Sequence, residues 1–494
     1  MSFKVAFIGA GSIGFTRNLL KDLLSVEEFH DIEITFTDIN ERNLEIITQL
    51  CQRDIDENDL DIKIQATTNR REALKKAGYI FNVARIGGLK AFKLDVEIPL
   101  KYGIDQCVGD TLCAGGIMYG QRGIAAILDF CKDIREVSEP DALMLNYANP
   151  NAMLTWAANK YGKVNTVGLC HGVQSGHQLI ADAFGLKQGE VDIICAGINH
   201  QTWYIQIKHN GKDLTGKLLE ALKNHPKYSQ TEKVRIDMLE RFGYFSTESN
   251  GHLSEYVPWY RKRPEEIKEW IDLSSWINGE TGGYLRVCIE GKNWFETNFP
   301  NWLKEPVRRF DTTDRSQEHG SYIIESLKTG RIYRGHFNVV NNGTITNLPD
   351  DAIVEVPGYV DANGVNIPRI GDLPLGCAAV CNVSISVQRL AVEAAVKGDD
   401  RLLRQAFMMD PLTGAVCNPP EIWQLVDEMI VAEVEWLPQY KEEIKEAKAR
   451  LESGSLIPIN NNFKGAARKK IKSIEEMQED IEMAKRNTEA ADKS

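Results

Sequence analysis

The amino-acid sequence predicts an α/β protein: an N-terminal, doubly wound parallel sheet of the Rossmann type, followed by a C-terminal α+β domain. Three observations predict it. An apolar run over 3–8 hands over to the glycine-spaced turn Gly9-Ala10-Gly11-Ser12-Ile13-Gly14. Short apolar runs then alternate with helix-patterned stretches through the first 170 residues, as expected of parallel strands covered by helices on both faces. After about residue 190 this alternation gives way to mixed strands, long helices and aromatic-rich loops.

In chain order the pattern predicts strands over 3–8, 33–37, 62–66, 79–84, 142–147 and 165–169, with helices near 14–26, 40–55, 70–76, 117–136 and 151–161. The second half is expected to add strands 203–208, 337–340 and 353–356 and helices 215–224, 231–242, 386–397 and 420–435. Segment 464–494, basic at Ala466-Ala467-Arg468-Lys469-Lys470 and acidic beyond, reads as a solvated helix fraying into a disordered end. The chain divides accordingly into a nucleotide-binding domain over 1–195, an α+β domain for substrate and metal over 196–460 and a charged tail over 461–494.

The 494 residues are too many for one typical domain, and 43% hydrophobic with 26% charged residues is an ordinary globular composition. A net charge of −12 argues against a nucleic-acid surface. No apolar stretch is read as approaching the ~20 residues of a bilayer span, and the N-terminus enters a strand without a cleavage pattern. A cytoplasmic protein without nucleic-acid or membrane partners is expected. The ten cysteines are dispersed and read as reduced. Cys377 and Cys381, separated by Ala378-Ala379-Val380, read as small buried hydrophobes rather than a metal pair.

In the first turn, Gly9 permits the tight bend, Gly11 lets the backbone approach a pyrophosphate, and Gly14 allows the helix to pack close to the strand; Ser12 lies in the same turn. Free N–H groups at the helix start then face the anion. Asp38, ending the run Ile32-Glu33-Ile34-Thr35-Phe36-Thr37, is placed to accept from a ribose 2′-hydroxyl, which favours NAD over NADP because a 2′-phosphate is repelled. Ligands of such sheets bind beyond the carboxyl ends of the strands, where Arg85-Ile86-Gly87-Gly88, Asn146-Tyr147-Ala148-Asn149-Pro150 and Cys170-His171-Gly172-Val173 stand out. Gly87 fits close passage of backbone past the cofactor. Arg85 is assigned to the cofactor side and Arg286 to substrate, although each also reads as an ion-pair partner. Cys170 and, thirty residues on, His200 can bind a divalent cation from two loops and leave positions open for substrate oxygens. A buried thiol and a hydrogen-bonded imidazole are the other reading of the same spacing.

Phe7-Ile8-Gly9-Ala10-Gly11-Ser12, Asn146-Tyr147-Ala148-Asn149-Pro150 with Ala152-Met153, Gly168-Leu169-Cys170-His171, Gly197-Ile198-Asn199-His200, Asn341-Asn342-Gly343-Thr344-Ile345, Asn347-Leu348-Pro349 and Val354-Glu355-Val356-Pro357 resemble glycoside hydrolase family 4 in the family's order over nearly the whole chain. The family departs from the paired-carboxylate scheme of most glycosidases. Thr247-Glu248-Ser249-Asn250-Gly251-His252-Leu253-Ser254-Glu255-Tyr256 is most similar to its α-galactosidase members. The resemblance implies NAD- and Mn²⁺-dependent hydrolysis of a small α-galactoside: oxidation at C3, loss of the C2 proton, departure of the glycosidic oxygen, addition of water and return of the hydride. A C–H beside a carbonyl is far more acidic than one beside an alcohol, and a cation stabilises the enolate charge.

The resemblance further implies Cys170 and His200 as ligands of Mn²⁺ or another divalent cation, and Asn149 as a substrate residue beside it. It puts His171 where phosphoglycosidase members carry an acidic group that protonates the leaving oxygen; orienting the metal site is the alternative. His252 falls at the base position, with Tyr256 one turn on as competitor or substrate wall, and Asp110 in a loop beside the sugar. A homo-oligomer, dimer or tetramer, is implied as well. Gly172 replaces the serine of many α-galactosidase members and is shared with relatives acting on uronosides, so an α-glucuronidase, α-galacturonidase or α-glucosidase of the same family is an alternative. Outside the family, the lactate/malate dehydrogenase superfold shares the nucleotide half and would make the chain an NAD-dependent dehydrogenase with net redox turnover. A nucleotide-sensing protein without catalysis is a third reading.

Overall fold

The computed structural model describes residues 3–274, 278–454 and 456–491. Among these, thirteen strands join in one sheet: β1 Lys4–Ile8, β2 Glu33–Thr37, β3 Gln65–Thr67, β4 Tyr79–Asn82, β5 Leu143–Asn146, β6 Thr166–Gly168, β7 Asp192–Ile198, β8 Gln201–His209, β9 Lys212–Asp213, β10 Phe245–Ser246, β11 Tyr333–Val340, β12 Ile353–Asp361 and β13 Gly364–Asn366. The parallel part runs β3-β2-β1-β4-β5-β6, the doubly wound order in which ligands bind at the reversal between β1 and β4. The sheet then continues through β11 and β12 into the antiparallel β7, β8 and β10.

The alternation of side chains along a strand builds the two cores. Val5 and Phe7 face one, with Phe36, Phe81 and Leu145; Ala6 and Ile8 face the other, with Ile80 and Met144. On the first face lie the helices Ile13–Leu24 and Glu41–Asp56, and also His319–Thr329, whose Ile323 and Ile324 reach back from the second half of the chain. On the second face lie Cys113–Val137, Asn151–Ala157 and Leu375–Lys397.

Several elements differ from expectation. The helix Gly88–Lys101 is unforeseen; Pro99 sits in its last turn, and Phe92, Val96 and Ile98 are buried along its length. The helices Gly283–Trp302 and His319–Thr329 and the strand β7 are also additions. The helix predicted from 386 begins at Leu375, its first turns made of Gly376, Cys377, Ala378 and Ala379, small residues without an amphipathic period. Its 23 residues, with a mean hydropathy of 1.4 in the most apolar window, correct the expectation that no stretch approaches span length. Half of that window is buried inside the protein, and the helix carries Arg389, Glu393 and Lys397. None of the ten cysteines is in a disulfide, and Cys377 and Cys381 are fully buried as expected.

The tail is corrected too. The Ala466-Ala467 segment is docked: Ala466 N–H donates to Asp105 Oδ2 at 2.8 Å, Ala467 N–H to Thr281 Oγ1 at 3.2 Å and Lys472 N–H to Glu290 Oε1 at 2.8 Å. A helix follows over Ile474–Ala491, and residues 492–494 of the expected fraying end lie outside the described residues.

Behind the site the halves are joined by a buried triad. Arg122, 1% exposed, donates through Nη1 to Asp95 Oδ1 and Glu433 Oε2, both at 2.8 Å, and through Nη2 to Asp95 Oδ2. Burial pushes both carboxyls up, and the guanidinium opposes this. Two carboxylates stranded without their cation are costly. Arg122→Ala should therefore lower the unfolding free energy by about 3–5 kcal/mol, measured by denaturant titration; a loss under about 1 kcal/mol would show that the triad does not tie the halves together.

Candidate active site

The turn after β1 has the form a dinucleotide needs. Gly9 lies at φ +81°, and a Cβ there would sit 2.5 Å from the Cα of Ala84, on the loop after β4 across the strand-order reversal. A Cβ at Gly11 would fall 2.7 Å from Asp38 Oδ2, the atom that accepts the Gly11 N–H at 2.9 Å. Ser12 is the N-cap of Ile13–Leu24 but makes no side-chain cap, so the first N–H groups of that helix remain available to an anion. Asp38 takes one backbone N–H on each oxygen, Gly11 and Asn40, which leaves lone pairs for ribose hydroxyls. Beside it, the fully exposed Ile39 offers an apolar surface of the kind a purine covers. These residues fit NAD. Gly14 is a correction: a Cβ there meets nothing within 4 Å, so close helix–strand packing does not require the glycine.

Gly87 and Arg85 follow β4. Gly87, at φ +78°, starts the helix Gly88–Lys101, and a Cβ there would overlap Ala91 and approach Arg122 and Trp436, so packing accounts for the glycine. The Arg85 guanidinium lies over the rings of Phe92, Tyr119 and Tyr284 at 4.7, 5.5 and 5.2 Å and donates to Tyr284 Oη at 3.1 Å. Its Nη1 is buried without a partner among the described residues, a donor left for a ligand. Arg286 is engaged elsewhere: Glu280 Oε1 accepts from Nε at 2.9 Å and Glu290 Oε2 from Nη1 at 2.7 Å. Glu290 also receives the Lys472 N–H, so the expected substrate residue serves the docking of the C-terminal segment.

The remaining candidates meet. Asn149 follows β5, Cys170 and His171 follow β6, and His200 occupies the two-residue turn between β7 and β8, where Ile198 faces Gln201. His200 has φ +60°, a left-handed conformation uncommon outside glycine and a frequent mark of functional positions. Cys170 Sγ, a His200 ring nitrogen and a Glu248 carboxylate oxygen lie within 4.8 Å of one another; so do donor atoms of Asp110, His200 and His252.

A chain of hydrogen bonds sets the His200 tautomer. Thr111 Oγ1 donates to Asp110 Oδ1 at 2.9 Å, so at its 2.9 Å contact with His200 Nδ1 the same oxygen accepts. Nδ1 thus carries the proton, and Nε2 keeps its lone pair. Burial also lowers the pKa of His200, favouring the neutral ring a metal requires. The Asn149 amide donates to Asp110 Oδ2 at 2.9 Å, which gives Asp110 a partner on each oxygen. Burial pushes the Cys170 thiol well above its usual range, with Glu355 and Glu248 adding to the shift. That is contrary to the needs of a free nucleophile. A thiol, a neutral imidazole and a carboxylate converging in a buried pocket fit a divalent cation of the transition series.

Tyr256 and His252 share the helix Asn250–Tyr256, one turn apart. Ser249 Oγ contacts His252 Nδ1 at 2.7 Å, and Glu248 Oε2 lies 3.5 Å from Nε2. The Tyr256 hydroxyl is buried and turned towards Thr111 without completing a hydrogen bond. His171, its side chain 63% exposed at the mouth, has Nδ1 3.4 Å from Glu318 Oε1. Glu318 raises the imidazole pKa to about 9.

Sequence reasoning missed three supports. Glu255, fully buried, accepts the backbone N–H groups of Cys107, Val108 and Gly109 at 2.7, 3.0 and 2.9 Å and so fixes the loop that ends in Asp110 and Thr111. Thr111 and Glu248 are the other two. The spacing of four from Glu248 to His252 to Tyr256 was the available signal for Glu248.

Comparison with known proteins gives a consistent picture. Residues 4–186 match the family 4 glycosyl hydrolases and residues 195–413 match the C-terminal domain of the same family. An alpha-galactosidase of Rhizobium meliloti (strain 1021) is 57% identical over 98% of this chain and 99% of its own. A 6-phospho-alpha-glucosidase from gut microorganisms, solved in complex with NAD and glucose-6-phosphate, superposes with a TM-score of 0.73 at 26% identity over 89% of this chain and 99% of that one. The 6-phospho-beta glucosidase of Thermotoga maritima, solved with manganese, NAD⁺ and glucose-6-phosphate, has the same fold, with a TM-score of 0.72 at 23% identity over 88% of this chain and 99% of that one.

Proposed function

The chain belongs to the family 4 glycosyl hydrolases, and from that premise we propose that it hydrolyses α-galactosides with the help of NAD and a divalent cation, Mn²⁺ foremost. The observation that carries the reading is that one sheet holds both a dinucleotide turn, after β1, and a thiol–imidazole–carboxylate cluster, whose Cys170 follows the parallel β6 while His200 and Glu248 come from its antiparallel part. NAD supplies a reversible hydride acceptor, and the cation supplies positive charge where electron density builds beside a carbonyl.

The chain's own residues do the rest. Gly9, Gly11 and the helix start hold the pyrophosphate, and Asp38 holds the ribose. Cys170 and His200 hold the cation, while Asp110 holds the Asn149 amide and, through Thr111, the His200 ring. Tyr256 is the better-placed base for the C2 proton, because its hydroxyl has no hydrogen-bond partner among the described residues while both His252 nitrogens have polar neighbours. Burial pushes this phenol's pKa well up, so taking a proton with it requires positive charge close by. His171, protonated through Glu318, stands at the mouth as the acid for the departing oxygen.

A neutral sugar suits the site. Glu318 and Glu248 flank the entrance by His171 and Cys170 and oppose a phosphate dianion. Glycine at 172 is explained within the protein, since a Cβ there would overlap Glu248 Oε1. It therefore carries no argument for a uronide.

Stripping the enzyme with charcoal and EDTA should abolish nitrophenol release from nitrophenyl α-galactoside, and adding NAD⁺, Mn²⁺ and a thiol should restore it without steady accumulation of NADH. The α-glucoside and the uronides should be poorer substrates. Undiminished cleavage after stripping would refute the reading, and continuous NADH formation would indicate a dehydrogenase. Tyr256→Phe should lower kcat by about 10²- to 10⁴-fold and His252→Ala by less; wild-type turnover in Tyr256→Phe would exclude it as base. Glu318→Gln removes the charge that raises the His171 pKa, so the alkaline limb of kcat/KM should move to lower pH. A limb that stays in place would dismiss His171 as the acid.

A further inference from the structure

Above, Glu248 serves only as a negative charge at the entrance, yet the structure makes closer room for it. It lies between β10 and the helix Asn250–Tyr256, with its carboxylate 14% exposed. One of its oxygens is within 4.8 Å of both Cys170 Sγ and a His200 ring nitrogen. The helix Gly172–Ala183 begins with a residue lacking a side chain, and that is where Glu248 Oε1 fits: a Cβ on Gly172 would overlap it. Among the described residues Glu248 accepts no hydrogen bond; His252 Nε2 lies 3.5 Å from its Oε2. A nearly buried carboxylate without donors, beside a thiol and an imidazole lone pair, lacks a counterion.

Two donor sets share His200, and they are not equivalent. In the set with Asp110 and His252, both Asp110 oxygens already accept, from Thr111 and from Asn149, and His252 Nδ1 is engaged by Ser249. In the set with Cys170 and Glu248, the carboxylate is uncommitted, the His200 lone pair is freed by the Thr111 relay, and the sulfur receives only the Gly172 N–H at 3.4 Å. Thiolate and carboxylate together bring two negative charges, which balance a dication.

We propose that Glu248 is a third protein ligand of the divalent cation, completing a sulfur, nitrogen and oxygen set with Cys170 and His200 and leaving the other coordination positions to sugar oxygens and water. The proposal rests on the preceding reading in taking Cys170 and His200 as ligands. An oxygen donor also explains how a site containing a soft thiolate accommodates a hard cation such as Mn²⁺.

The test is Mn²⁺ binding to the full chain without NAD or sugar, followed by loss of the free-ion EPR signal on titration. Glu248→Gln should weaken Mn²⁺ binding by about tenfold or more. Gly172→Ala, which leaves the carboxylate in the chain but crowds it out of position, should weaken it in the same direction. Unchanged NAD affinity in both variants would show that the fold is retained. Wild-type Mn²⁺ affinity in Glu248→Gln, with binding lost in Cys170→Ser and His200→Ala, would overturn the proposal while the glycosidase reading stands. Unaltered affinity in all four variants would overturn both.

Discussion

One row of residues across the sheet decides where everything else can sit. β11 and β12 pair over eight positions, but β11 meets β6 only through Asn338 opposite Gly168, and β12 meets β7 only through Glu355 opposite Gly197. Asn338 and Glu355 are themselves register partners, so Gly168, Asn338, Glu355 and Gly197 form a line joining the parallel and antiparallel parts. A Cβ on Gly168 would overlap the Asn151 side chain and come within 2.8 Å of Asn338 Cβ. Cys170 follows the first residue of the row by two positions, and His200 follows the last by three. The meeting of sulfur and imidazole is thus a consequence of strand register.

The row is polar and buried, which is expensive unless charge is avoided. Glu355 is 1% exposed, and burial raises its pKa to about 8, so at neutral pH it is mostly an uncharged acid. It accepts the Asn199 amide at 3.3 Å, and Asn199 is the residue before His200. Glu255 contrasts with it: three backbone N–H groups converge on its carboxylate, and charge-assisted bonds of this kind are worth about 1.5–3 kcal/mol each. One carboxyl supports the ligand turn from beneath, and the other holds the loop carrying Asp110 and Thr111.

Most of the parallel half was legible because its strands are apolar runs between helix-patterned stretches and the glycine turn is local in sequence; the exception is β3, Gln65–Thr67, a polar and largely exposed edge strand that only overlaps the end of the run expected over 62–66. The helix Gly88–Lys101 was not, since Gly87, Gly88 and Pro99 bracket it with residues that read as loop. β7 was hidden by Gly197, and the start of Leu375–Lys397 by small residues that bury without alternation. In the site, Cys170, His200, His252, Tyr256 and Asp110 were legible through motif order. Glu255 was invisible as a support because the groups it binds lie about 147 residues away. Thr111 acts through a hydrogen that a sequence does not show, and Arg286 gave no sign that two carboxylates would claim it.

The docking of residues 466–472 has a consequence for how the molecule is made. Asp105 serves Arg261, Thr281 and the Ala466 N–H together, two positions before Cys107, the first of the three residues whose N–H groups Glu255 accepts. The helices His319–Thr329 and Leu375–Lys397 cover the nucleotide half's sheet, so that half is complete only after they are made, and this brace comes later still, past residue 472. A chain that stops before residue 466 would lack the three hydrogen bonds to Asp105, Thr281 and Glu290 that fasten this end of the molecule.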